Sequence, residues 1–372
     1  MSIPAVRLAL AYTPKISFAS AFQSLNIRFE GESTGNDRFA RTHTDNLRLQ
    51  TGGTAADDFP PSKLLSVKHP QSGRPLQLRL WAPRGQRVDD QIQQGTQQNA
   101  VLLIPGLGGR SEWFAPLAEN ILQNQDSSTL VYSLQMPEVS RTLDDNPAAC
   151  DVKDINKLVK DVESAIDYLG KHHQGKVFAV GASLGGLLLT PVAANPPESL
   201  VGISLVSPAY RPITSRSDKA LLVLGRVLRR VGLLDIVGKH VKRRETEDQT
   251  NFKEHMPEGM TPLQQRIWHE KRRNIDQFVV TPGSALQMID LMRVAREQAS
   301  QINLPTQLFV GDTDSVIDSR CSKAVFKRIP ASRQKEGWAY PSGEHDLVFD
   351  SVLPDMAKKM NHRIRTLLAE SL

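Results

Sequence analysis

The sequence predicts an α/β fold: a mostly parallel central sheet with helices on both faces and a helical cap inserted late in the chain. Three observations carry this prediction. Short apolar runs recur at Val101 to Ile104, Thr129 to Leu134, Val177 to Val180, Leu200 to Val206 and Thr306 to Val310. Runs of this length, apolar on both faces, suit strands buried in a parallel sheet. Helix-like stretches separate them, at Trp113 to Gln123, Val152 to Leu169 and Leu184 to Ala194. Finally, about a hundred residues lie between Ser207 and Thr306, where an α/β connection needs only about 2 to 6.

Residues 1–29 carry Arg7, Lys15 and Arg28 but no acidic residue, a faint likeness to a transit peptide. Pro4, Pro14 and Lys15 interrupt the apolar run, so a secretory signal fits poorly and a loosely ordered tail is the plainer reading. Glu30 to Pro61 is polar and lacks periodicity, with Thr51-Gly52-Gly53-Thr54 inside it. Residues 1–62 are therefore expected to form a poorly ordered N-terminal extension, and 63–372 the folded domain. Order begins with a hairpin: Leu64 to Lys68, a turn at Gln71-Ser72-Gly73-Arg74, then Leu76 to Ala82, in which Leu76, Leu78 and Leu80 alternate with polar residues. A glutamine-rich loop, Gln86 to Asn99, leads to the first central strand.

The long connection is read as a helical cap over about 208–303. It is basic, with Leu221, Leu224, Leu228 and Val231 on one helical spacing and Arg226, Arg229 and Arg230 between them. Packing of that apolar stripe on the core is the first reading. Peripheral contact of a basic amphipathic surface with a membrane is the second.

Composition narrows the class. A chain of 372 residues has room for one catalytic domain with an insertion. At 40% hydrophobic and 23% charged it is an ordinary globular composition. No window reaches the roughly 18 uninterrupted apolar residues of a membrane-spanning helix. The charge of +6, from 46 basic and 40 acidic residues, does not indicate nucleic acid as a partner. Cys150 and Cys321 stand far apart and outside any C-x-x-C pattern, so neither a disulfide framework nor a metal site is suggested. A cytoplasmic location is expected, with organelle targeting by the acid-free N-terminus as the alternative. No repeat is visible, and nothing speaks to oligomeric state.

The chemistry centres on Gly181-Ala182-Ser183-Leu184-Gly185-Gly186, a G-x-S-x-G between an apolar strand and an apolar helix. Chance supplies such a pattern in roughly one chain of this length in ten, so its context decides. A nucleophile elbow lifts its serine on a sharp strained turn, which demands small residues on either side, and Gly181, Ala182, Gly185 and Gly186 meet that demand. A glycine-rich turn without chemistry is the bland alternative.

A serine hydroxyl is a poor nucleophile without a base to take its proton and an acid to orient that base. In a fold with such an elbow these follow in the order Ser, Asp or Glu, His. After the strand at Gln307 to Val310 comes Gly311-Asp312-Thr313-Asp314-Ser315-Val316-Ile317-Asp318, and later Ser342-Gly343-Glu344-His345-Asp346 ahead of a final helix. Asp314 and His345 are the candidates, with Asp312 and Asp318 as competitors for the acid. His172 and His173 end a helix, where a cation suits the dipole, and His240, His255 and His269 fall in the cap. All five are read as structural or surface residues. The oxyanion needs backbone donors. Leu184 supplies one, and the loop Pro105-Gly106-Leu107-Gly108-Gly109-Arg110 another. Ser111 occupies the place of the last glycine of G-x-G-x-x-G, which argues against a dinucleotide loop.

Taken together, PGLGG with Trp113 following, GASLGG, GDTDSVID and SGEHDLVFD resemble the monoacylglycerol lipase and lysophospholipase branch of the α/β-hydrolases, which includes serine aminopeptidase-like members. The resemblance spans about residues 64–370. It implies an α/β-hydrolase fold, Ser183, Asp314 and His345 as catalytic triad, Leu107 and Leu184 as oxyanion donors, and Gly106 and Trp113 beside the substrate. No cofactor or metal is implied. The chain departs from the family at Pro105-Gly106, where His-Gly is usual, and at Leu134-Gln135-Met136-Pro137, where D-x-x-G-x-G-x-S is frequent. The expected activity is hydrolysis of a small carboxylic ester with an apolar acyl group, such as a monoglyceride or lysophospholipid. Acyl transfer, amide cleavage and a non-catalytic binding role are the alternatives.

Overall fold

The computed structural model describes residues 27–29, 59–68, 75–92, 97–125, 128–136, 139, 152, 154–213, 225–226, 229, 241–243, 259–275, 280–330 and 334–369. Most of 1–62 thus lies outside the described residues, as do the turn at 71–74, Leu221, Leu224, Leu228, Arg230, Val231, His240 and His255. Ile27–Phe29 pairs antiparallel with Val241–Arg243.

The apolar runs become strands of one sheet. In chain order these are β1 (Ser62–Lys68), β2 (Pro75–Trp81), β3 (Asn99–Ile104), β4 (Thr129–Gln135), β5 (Val177–Ala182), β6 (Leu200–Val206), β7 (Thr306–Gly311) and β8 (Lys335–Tyr340). Across the sheet they run β1-β2-β4-β3-β5-β6-β7-β8. Only β2 is antiparallel to its neighbours; the remaining pairs are parallel. The hairpin expected from the alternation of Leu76, Leu78 and Leu80 is β1 with β2.

Successive residues of a strand point to opposite faces, and β3 shows the result. Ala100, Leu102 and Ile104 join one apolar cluster, Val101 and Leu103 the other. The first face is covered by α2 (Ile155–His173), α3 (Leu184–Ala194), α5 (Pro282–Gln298) and α6 (Ser319–Arg328); the second by α1 (Ala115–Leu122), α4 (Pro262–Ile275) and α7 (Leu353–Ala369). Each fully buried leucine in these layers contributes about 2 kcal/mol relative to exposure.

Helix boundaries follow local chemistry. The helix expected from Val152 begins at Ile155, because Asp154 keeps an extended backbone and its side chain accepts the Asn156 N–H at 3.0 Å. It ends at Gln174, in a left-handed conformation. The helix expected from Trp113 begins as a tight turn, Ser111–Phe114, and becomes α1 at Ala115. α3 matches its expected span, Leu184 to Ala194.

Within the span 208–303 the described helices do different things. α5 is a crossover helix of the parallel sheet: Ser284 Oγ accepts the Val152 N–H at 2.7 Å, and Gln287 Oε1 accepts the Ile155 N–H at 2.7 Å, fastening α5 to the start of α2. Arg229, earlier in that span, pairs with Asp290 of α5 at 2.9 Å. α4 packs Leu263 and Ile267 against the opposite apolar cluster, together with Met260. β8 has no counterpart among the apolar runs, since at the sheet edge only Tyr340 of its six residues is buried.

Candidate active site

In an open parallel sheet, ligands collect beyond the carboxyl ends of the strands, where neighbouring connections leave in opposite directions. The chain runs from β3 outward to β4 and then back across to β5, and the loops after β3 and β5 meet at this point.

Ser183 stands between β5 and α3 at φ 50°, ψ −114°, a left-handed conformation that costs a non-glycine residue about 1–3 kcal/mol. The surroundings hold it there. Its N–H donates to Val206 O at 2.9 Å, and its carbonyl accepts from Leu187 and Ala209 at 3.1 and 3.0 Å. The turn closes so tightly that a Cβ on Gly181 would lie 2.6 Å from Gly185 O, and one on Gly185 would lie 2.2 Å from Ile104 O. Both glycines of the motif are required by backbone contact.

The structure brings the three sequence candidates together. Ser183 Oγ lies 2.9 Å from His345 Nε2, and His345 Nδ1 lies 2.8 Å from Asp314 Oδ2. A carboxylate offers acceptors only, so Nδ1–H donates to Asp314 and Nε2 is left to accept the serine proton. The other oxygen of Asp314 accepts the Val316 and Ile317 N–H groups at 2.9 and 2.8 Å, and its side chain is 2% exposed. The competitors do other work. Asp318 caps α6, accepting the Arg320 N–H at 3.1 Å, and Asp312 pairs with Lys323 at 2.5 Å. His362, the other histidine between the acid loop and the C-terminus, is exposed on α7.

Two connections fix the acid and histidine loops. Thr313 Oγ1 donates to Gly343 O at 2.8 Å, joining one loop to the other. On the far side of the acid, the chain leaving β6 pairs with it: Ile213 N–H donates to Val316 O and Asp318 N–H to Arg211 O, both at 2.9 Å.

The loop after β3 turns back on itself, with Gly109 N–H donating to Gly106 O at 3.0 Å and Gly108 N–H to Val139 O at 2.7 Å. The amides of Leu107 and Leu184 make no hydrogen bond among the described residues. For Leu184 this follows from its place at the first helical position. Gly106 approaches the serine so closely that a Cβ there would stand 3.0 Å from Ser183 Cβ. The loop is anchored from β4, where Gln135 Oε1 accepts the Ser111 N–H at 3.0 Å and Ser133 Oγ donates to Ser111 O at 3.0 Å. Gln135 thus has a structural task at the position where the sequence departs from the frequent family pattern.

A cleft opens over Ser183 and His345. Trp113, Phe114, Val206, Leu347, Val348 and Phe349 give it apolar walls, and Arg110 and Asp346 add polar ones. Gly106, Leu107 and Trp113 border it. Sequence reasoning did not assign Val206 or Leu347 to Phe349 to the site, although the latter stand inside the SGEHDLVFD segment. Among the described residues no group of acidic, histidine and cysteine side chains is arranged to hold a metal ion, and no helix is long and apolar enough to cross a membrane.

Of the two readings given to His173, structural or surface, the first holds. The residue is buried, its Nε2 lies 2.9 Å from the Tyr132 hydroxyl, and burial lowers its pKa from 6.5 to about 4. The neutral ring is a core hydrogen-bonding partner.

This sheet order, with a strained serine at the strand-to-helix junction, defines an α/β-hydrolase fold. A family model described as serine aminopeptidase, S33, matches residues 95–352. The chain belongs to that family, and it is a serine hydrolase by class. Similar solved structures include a highly thermostable carboxyl esterase from Bacillus coagulans in complex with glycerol, at 16% identity over 83% of this chain and 99% of that one, with a TM-score of 0.57. A soluble variant of monoglyceride lipase from Saccharomyces cerevisiae, in complex with a substrate analogue, is 15% identical over 85% of this chain and 98% of that one, also at 0.57. At these identities the likeness is one of fold. No curated protein sequence matches the chain.

Proposed function

We propose that the protein hydrolyses carboxylic esters with an apolar acyl group through a Ser-His-Asp acyl-enzyme mechanism. The observation that carries this reading is the relay of 2.9 Å from Ser183 Oγ to His345 Nε2 and 2.8 Å from His345 Nδ1 to Asp314 Oδ2. Ser183 attacks the acyl carbonyl as His345 takes its proton. The developing oxyanion is met by the Leu107 and Leu184 amides, which have no competing partner among the described residues. His345 then protonates the leaving alcohol, and in the second half-reaction it activates the water that releases the acid. Asp314 holds the imidazole in the useful tautomer and stabilises its charged form. Gly106 and Trp113 border the bound acyl group.

The apolar walls of the cleft support an apolar acyl chain, and the lipase and esterase neighbours of the same fold accord with it. A monoglyceride or lysophospholipid is the substrate class we favour. Because α5 belongs to the sheet's crossovers, we place the end of the insertion before Thr281.

A p-nitrophenyl ester series of rising acyl length tests this reading. Rising kcat/KM from acetate to medium or longer chains is expected; acetate turned over faster than every longer ester would remove the apolar acyl pocket. The family's description favours one second reading, cleavage of an aminoacyl amide. Turnover of aminoacyl p-nitroanilides above that of the esters would put it first.

A further inference from the structure

The insertion's helix α4 reaches the histidine loop through one buried side chain. Gln264 is 3% exposed and makes two kinds of contact. Its Oε1 accepts the Thr261 N–H at 2.8 Å, while its own N–H donates to Thr261 Oγ1 at 3.3 Å, the reciprocal pairing of a capping box. Its Nε2–H donates to the main-chain carbonyl of Asp350 at 3.1 Å, across 86 residues of chain.

Asp350 is buried too, and its carboxylate folds back on the same loop. Oδ2 accepts the Glu344 N–H at 3.4 Å, immediately before His345. Oδ1 accepts the Ser351 hydroxyl at 3.0 Å and the Val352 N–H at 3.3 Å, at the start of α7. Between these points lie Leu347 to Phe349, a wall of the cleft. Met260, Leu263 and Ile267 join the same apolar cluster as those residues, which shields the contact from water. A buried, hydrogen-bonded polar contact favours one arrangement of two segments, because others leave its donor or acceptor unmet.

We propose that Gln264 is a positioning residue for His345, acting through Asp350, so that the seating of α4 sets the alignment of His345 between Ser183 and Asp314. The proposal rests on the hydrolytic reading above. It agrees with the other attachment of the insertion, where Arg211 to Ile213 pair with the segment just after Asp314. The insertion thereby holds both loops, one carrying the base and one the acid. Gln264 touches neither the reacting atoms nor the cleft.

The variant Gln264→Glu separates this role from simple folding. Glutamate still accepts the Thr261 N–H and suits a helix N-terminus, so the capping box survives. It lacks the donor to Asp350 and sets a carboxylate oxygen against that carbonyl. With a short p-nitrophenyl ester, kcat is expected to fall about tenfold while KM moves less than about twofold. The low-field proton resonance of His345 Nδ1–H should shift or broaden. Unchanged kcat in an active enzyme, or a loss carried by KM alone, would overturn the proposal. Should the wild type hydrolyse no ester, the hydrolytic reading fails by itself and the resonance decides the clasp: a shift in Gln264→Glu supports it, an unchanged signal overturns it.

Discussion

Asp314 shows what a single residue's surroundings decide. Three carboxylates within seven residues compete for one role, and nothing in their order separates them. In the fold Asp318 is occupied by a helix N-terminus and Asp312 by a lysine, while Asp314 divides its oxygens between two backbone amides and His345. Replacing Asp314 with Asn keeps the shape but offers the imidazole a donor where it needs an acceptor. We expect kcat to fall by about 10³ or more in Asp314→Asn, and to stay within about threefold in Asp312→Asn and Asp318→Asn. Steady-state kinetics on one ester checks all three; a larger loss at either competitor would reassign the acid. Gly106→Ala tests the crowding beside the nucleophile. The added methyl stands 3.0 Å from Ser183 Cβ, so Ser183 or the loop must shift. A fall of about tenfold or more in kcat/KM with unchanged unfolding temperature is expected, since small misplacements of reacting groups are costly. Wild-type activity would show that the loop yields freely.

Among the elements, legibility tracked burial. Strands buried on both faces wrote themselves as apolar runs, and α3 was placed correctly because strand, glycine turn and apolar helix adjoin. β8 was not, because an edge strand with a single buried residue carries no apolar run to find. α2 was found, and His173 at its end, read as structural or surface, is structural: that it is sealed against Tyr132 of β4 is a tertiary fact without a local signal. It has a consequence for stability. A histidine whose folded pKa lies near 4, below its ordinary 6.5, leaves the unfolded chain as the better proton acceptor between those values. Its stabilising contribution is therefore complete above about pH 6.5 and is lost as pH falls toward 4. Thermal unfolding of wild type and His173→Gln from pH 8 to 4 isolates the effect. The variant should lose less stability over that window; parallel curves would place the acid sensitivity elsewhere.

On the scale of the whole molecule, the sequence foretold the mostly parallel sheet, and the three residues it singled out lie together, because motif order in this fold is tied to strand order. It did not foretell how the insertion is attached. Contacts such as Gln264 with Asp350 or Arg211 with Asp318 join segments far apart in sequence and leave no pattern along it. Nor did it separate the part of the long connection that belongs to the sheet, α5, from the rest, since a crossover helix and a cap helix share the same apolar stripe. What unites these pieces is a serine held in strain at the carboxyl edge of the sheet, with His345 and Asp314 delivered to it by loops from β8 and β7.

The most direct measurement of that claim is covalent labelling by a fluorophosphonate probe, which reports an activated serine whatever the natural substrate. Wild type should label, while Ser183→Ala and His345→Ala, folded as judged by circular dichroism, should not. Undiminished labelling in Ser183→Ala, or a folded wild type that never reacts, would contradict the account.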